Sequence, residues 1–177
     1  MLPNPLHPAV VHFPIVLMFL LPISAGVALW AIRRGARPMT AWAVPAAFAV
    51  ALSLSSWAAL QTGQEQGEAV EDVVAERVVE GHEEAAELFL ALTGAMVLVT
   101  GLGFLRGKPG DLARASTVVA AVAITFAGYR VGHSGGELVY KHGAASAIVQ
   151  AGTAESGGTV RDEEKGERSE KGEKGER

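Results

Sequence analysis

The sequence contains no cysteine. Disulfides, a thiolate metal site and a covalently attached c-type haem are therefore excluded for this chain, and imidazole is the strong metal ligand left to it. Charge is also scarce: 19% of the 177 residues are acidic or basic, and many of those crowd into the last seventeen positions. The net charge of -4 is small and unevenly placed, which argues against nucleic acid as a partner. No Lys or Arg precedes the first apolar run, and Arg33, Arg34 and Arg37 follow it. That run therefore reads as a retained membrane helix with a stop-transfer cluster, not as a cleaved signal peptide.

What is present is apolar sequence, 49% of the chain with a mean hydropathy of +0.26. It is gathered into four runs at about residues 9–32, 41–60, 85–105 and 115–131. Each is close to the ~20 residues that cross a hydrocarbon core as a helix. Unpaired backbone groups leave few other shapes available there. The expected fold is all-α, an integral membrane four-helix bundle over residues 1–148 with up-down connections. Residues 149–177 read as a disordered charged tail, since "RDEEKGERSEKGEKGER" cannot bury enough apolar area to offset its ordering entropy. The bilayer is thus the first partner, and a homo-oligomer is compatible with this composition.

The connections differ in sign. Arg33, Arg34 and Arg37 lie between the first two runs, and Arg106, Lys108 and Arg114 with only Asp111 lie between the last two. The middle connection carries Glu65, Glu68, Glu71, Asp72, Glu76, Glu80, Glu83 and Glu84 against Arg77. Positive connections stay in the cytoplasm, so both termini and the acidic connection are expected outside. All five histidines, His7, His12, His82, His133 and His142, then fall on the outer side. Random assignment to two sides gives that result about one time in thirty.

Local chemistry adds detail. Pro14 suits a first helical turn and Pro22 is expected to bend the first helix. Val70, Val73, Val74, Val78 and Val79 recur at helical spacing, which predicts an external amphipathic helix leading through Gly81 and His82 into the third span. Gly128, Gly132 and Gly136 repeat every four residues, a spacing that admits a neighbouring backbone or a flat ligand, and Gly135 and Gly136 mark the expected end of the last helix. Arg130, one turn before His133, needs an anionic partner or the surface. Trp30, Trp42 and Trp57 read as interfacial anchors, Tyr129 and Tyr140 as interfacial or ligand-bonding groups, and Glu87 as an inward acid or a ligand contact.

Two stretches, "LHPAVVHFPI" from Leu6 and "GHSGGELVYKHG" from Gly132, carry a resemblance. The pair resembles the bacterial membrane family known as domain of unknown function 2231, whose opening and closing motifs match here at nearly every position. The resemblance covers about residues 3–148 and carries His7, His12, His133 and His142 over as motif positions. Relatives joined to Rieske iron–sulfur or cytochrome c-type domains imply electron transfer, with such a redox partner at the outer face of the bacterial inner membrane.

The histidines admit three readings. In a b-type cytochrome, haem b is held between axial imidazoles and Arg130 meets a propionate. In a transition-metal site, His7, His12, His82, His133 and His142 supply the ligands, although no His pair stands i, i+4 on one helix. In a scaffold or assembly subunit, the rings only cap and anchor helices. No nucleophile or acid–base pair marks an enzyme, and the middle of the bilayer holds almost no ionisable group to form a transport path. Depth assigns His12 and His133 as an inner ligand pair, His7 and His142 as an outer pair, and His82 as the replacement for an inner position.

Overall fold

The computed structural model describes residues 6–67 and 74–146. The charged tail, and the part of the acidic connection at 68–73, lie outside the described residues. Five helices follow one another: α1 His7–Val10, α2 His12–Arg33, α3 Pro38–Gly67, α4 Glu76–Leu102 and α5 Lys108–Tyr140. α1 and α2 form one apolar unit, so four helical units are long and apolar enough to cross a membrane. The chain is thus the expected all-α four-helix membrane bundle, with its helices longer than the apolar runs alone.

Proline sets the α1–α2 break. Pro14 has no N–H to offer the Val10 carbonyl, and regular helix is interrupted at Val11, the residue between the two elements. Pro22 and Pro45 are carried inside α2 and α3. After α2 and α4, Gly35 (φ 98°) and Gly107 (φ 73°) turn the chain through the left-handed region into α3 and α5.

Four helix pairs pack round a closed ring: α2 on α3, α3 on α4, α4 on α5, and α5 back on α2. The core is thin and made of Met18, Leu21, Ala49, Leu52, Phe89, Met96, Ala121 and Ile124. Larger apolar side chains such as Phe13, Ile23, Leu98, Val119 and Phe126 point outward. That inversion suits a bilayer, where close approach of small residues holds helices together and lipid covers the large ones. Gly128 illustrates it: a methyl there would overlap Met18 Sδ and crowd Phe89. The buried hydroxyls of Ser56, Thr93 and Thr117 bond carbonyls of their own helices. Thr125 Oγ1 lies 2.8 Å from the Met18 carbonyl oxygen, a polar link between α5 and α2.

Several sequence expectations change. Of the expected external amphipathic helix, Val70 and Val73 lie outside the described residues, while Glu76 to Gly81 form the first turns of α4, continuous through Gly81. Its inward Val79 packs with Val74, Leu138 and Ala144, so tertiary contact carries the helix past the glycine. α5 likewise passes Gly135 and Gly136 and ends at Tyr140. Trp42 is fully buried, donating from Nε1 to the Thr100 carbonyl at 2.9 Å, so it is a core residue and not an anchor. Trp30 and Trp57 are exposed as anchors should be, and Arg34 stacks on Trp30 at 5.2 Å. Glu87 is exposed and does not face inward.

Candidate functional site

The antiparallel ring places the start of α1, the end of α3, the start of α4 and the end of α5 at one end of the bundle. All five histidines lie there, and two of them turn inward.

His7 is held by the last turns of α3. Its Nδ1 is 2.9 Å from the Ala59 carbonyl oxygen and 3.3 Å from Thr62 Oγ1. The ring rests against Gly63, where an added methyl would stand 3.0 Å from Cε1. Gln66, one turn on, turns its amide oxygen to the backbone N–H groups of Leu6 (2.9 Å) and His7 (3.3 Å), capping the start of α1. Ala59, Thr62, Gly63 and Gln66 stand at i, i+3, i+4 and i+7, one face of α3.

His82 is held by the last turns of α5 in the same manner. Its Nδ1 is 2.9 Å from Ser134 Oγ, and the ring rests against Gly135 with an added methyl again 3.0 Å from Cε1. Val131, Ser134, Gly135 and Leu138 repeat the i, i+3, i+4, i+7 face. Each half of the molecule therefore offers a histidine from its first helix to a hydroxyl–glycine pair on its second, Thr62–Gly63 or Ser134–Gly135. The halves also share their turns, "RGARP" from Arg34 and "RGKP" from Arg106, each with its positive-φ glycine. The two halves thus share one pattern: a histidine-bearing helix, a glycine turn, and a second helix with a hydroxyl–glycine pair.

Tautomers follow from the partners. The Ala59 oxygen can only accept, so His7 carries its proton on Nδ1. The Ser134 hydroxyl spends its hydrogen on the Val131 carbonyl at 2.9 Å, so its oxygen accepts from His82 Nδ1–H. In these tautomers each Nε2 keeps its lone pair, with no hydrogen-bond partner for it among the described residues. A ring nitrogen anchored on protein while the other is basic is the arrangement that orients a metal-ligating histidine.

The other expected site residues do not join them. His12 is exposed because five residues turn a helix by about 140° beyond a full turn, so it and His7 cannot share a face. His133 is exposed one position before Ser134, its ring 6.1 Å from that of Tyr129 and its Nδ1 4.0 Å from Glu137. Arg130 shares this outward face, and Glu137 pairs with Lys141. His142 is exposed just beyond α5. Facing therefore does not follow the expected order of depth in the N-terminal pair: His7 is inward and His12 outward. Adjacency to the apolar run gave depth along the helix but not direction around it. His82, expected only as a replacement, occupies the second inward position. Gly132 and Gly136 face open space, and Gly135, between them, makes the close contact.

The inward donor set is two imidazoles, the number that haem iron takes as axial ligands where it is bis-histidine ligated. Among the described residues no cluster of three or more His, Cys, Asp or Glu could hold a bare metal ion. The residues that sequence reasoning missed, Thr62, Gly63, Gln66 and Ser134, had a signal: a hydroxyl directly before glycine near the polar end of each second helix.

No curated protein and no solved structure matches the chain. Residues 3–147 match the family described as predicted membrane protein, DUF2231, and the chain, with its four membrane-length helices and its histidine end, belongs to that family.

Proposed function

We propose that the protein is a membrane electron carrier of b-type cytochrome character, with His7 and His82 as the ligand pair. One observation carries the reading: two inward imidazoles at one end of the bundle each have Nδ1–H engaged, and among the described residues nothing engages either Nε2. Haem b, the cofactor this donor set suits, supplies one-electron chemistry when bound. The chain's own part is to fix ring orientation through Ala59 and Ser134, and to keep the ligands half-buried where few competitors reach them. With the basic connections in the cytoplasm, this end faces outward in the bacterial inner membrane, toward a Rieske or cytochrome c-type partner.

The experiment is the visible spectrum of the full chain in mild detergent, oxidised and reduced, after expression with ample haem supply. A low-spin Soret signal is expected, abolished in His7→Ala and His82→Ala and kept in His12→Ala, His133→Ala and His142→Ala. Absence of that signal in the folded wild-type protein sinks the cytochrome reading. Metal found by elemental analysis would then favour a transition-metal site.

A scaffold role is the second reading, favoured by the same hydrogen bonds. His7 ties α1 to α3 and His82 ties α4 to α5, which is a structural service without any ligand. Under it, His7→Ala and His82→Ala lower thermal stability while no variant, nor the wild type, carries cofactor or metal.

A further inference from the structure

At the opposite end of the bundle, the two basic connections enclose a cleft of about 210 Å³. Its walls are apolar where they meet the outside of the bundle, formed by Ile32, Met39, Phe104 and Leu105. Its floor is cationic. Arg114 lines it and is 4% exposed; its terminal nitrogens reach Asp111 Oδ1 at 2.8 Å and the Leu105 carbonyl at 3.1 Å, but its Nε–H has no acceptor. Arg106 stands at the rim, and α5 begins beside it without a side-chain cap, leaving first-turn N–H groups to be satisfied.

Charge does not balance here. Two cations line the cleft, Arg106 and Arg114, and the one acid that lines it, Asp111, is spent on Arg114, so Arg106 has no carboxylate partner among the described residues. The missing partner is an anion. A free anion would gain nothing from the apolar walls, whereas an amphiphile with a negative head satisfies walls and floor together. We propose that this cleft seats the phosphodiester of an anionic phospholipid, with Arg106 and the start of α5 on the phosphate and the ester carbons against Met39, Phe104 and Leu105. The acyl chains then continue along the outward apolar faces, which already belong to lipid. Juxtamembrane cations draw anionic headgroups generally, but the shaped cleft makes one position specific.

The test uses the full chain in neutral detergent with phosphatidylglycerol or phosphatidylcholine added, read by native mass spectrometry and by lipid-dependent thermal shift. Phosphatidylglycerol should bind at least about fivefold more tightly, and Arg106→Gln should lower its affinity by about fivefold. Arg37→Gln removes the same charge outside the cleft and should leave affinity unchanged. Equal binding of the two lipids, or an equal loss in both variants, overturns the site in favour of diffuse attraction. Displacement of phosphatidylglycerol by inorganic phosphate at constant ionic strength overturns the lipid and leaves a soluble-anion site.

Discussion

At the scale of the residue, glycine decides what each imidazole can reach. Gly135 lies inside α5, where glycine costs about 1 kcal/mol relative to alanine. Its retention is explained by the His82 ring lying on it, and this separates site from stability. Gly135→Ala should favour the helix yet push the ring off Ser134, so thermal stability should hold or rise while any cofactor signal falls. If both fall together, the ring is a staple before it is a ligand. Gly103 gives the contrast, because a methyl there would overlap the buried Trp42 indole. Gly103→Ala should cost ~1–3 kcal/mol in detergent unfolding and leave the histidine end unchanged.

At the scale of the element, hydropathy showed where helices cross the bilayer and composition showed how many. It did not show where they end. α4 starts at Glu76 and α5 stops at Tyr140, because Val79 and Leu138 pack together in a small cluster that no local propensity encodes. The histidines were legible as a group on one side and illegible as a pair, since facing depends on rotation about each axis. The i, i+3, i+4, i+7 faces ending in Thr62–Gly63 and Ser134–Gly135 were in the sequence, but only contact distinguishes them from Gly128, Gly132 and Gly136. Polar contacts between elements are also few among the described residues. Thr125→Val removes the hydroxyl linking α5 to α2 at nearly constant volume, and should cost between about 0.6 and about 1.7 kcal/mol in unfolding. Pro22, at i+4 from Met18, has no N–H for that carbonyl, so the loss should lie toward the upper figure.

At the scale of the whole molecule, the pattern shared by the two halves ties orientation to the histidine pair. The halves run the same way through the membrane, so the turns at Gly35 and Gly107 lie at one end and the inward imidazoles at the other. Each turn brings its own cations, Arg33, Arg34 and Arg37 in one and Arg106, Lys108 and Arg114 in the other. The positive-inside bias therefore acts twice with the same sign. Neutralising one turn, with Arg33, Arg34 and Arg37 all changed to Gln, should leave reporter fusions after residue 35 cytoplasmic and after residue 146 exported. Neutralising Arg106 and Lys108 as well should mix the two orientations, with Arg114 kept because it is hydrogen-bonded inside the bundle. An exported fusion after residue 35 in the unaltered chain would place the histidine end in the cytoplasm. The geometry of His7 and His82 would survive that result, and under the proposed cytochrome reading a redox partner would have to be sought on the other side of the membrane.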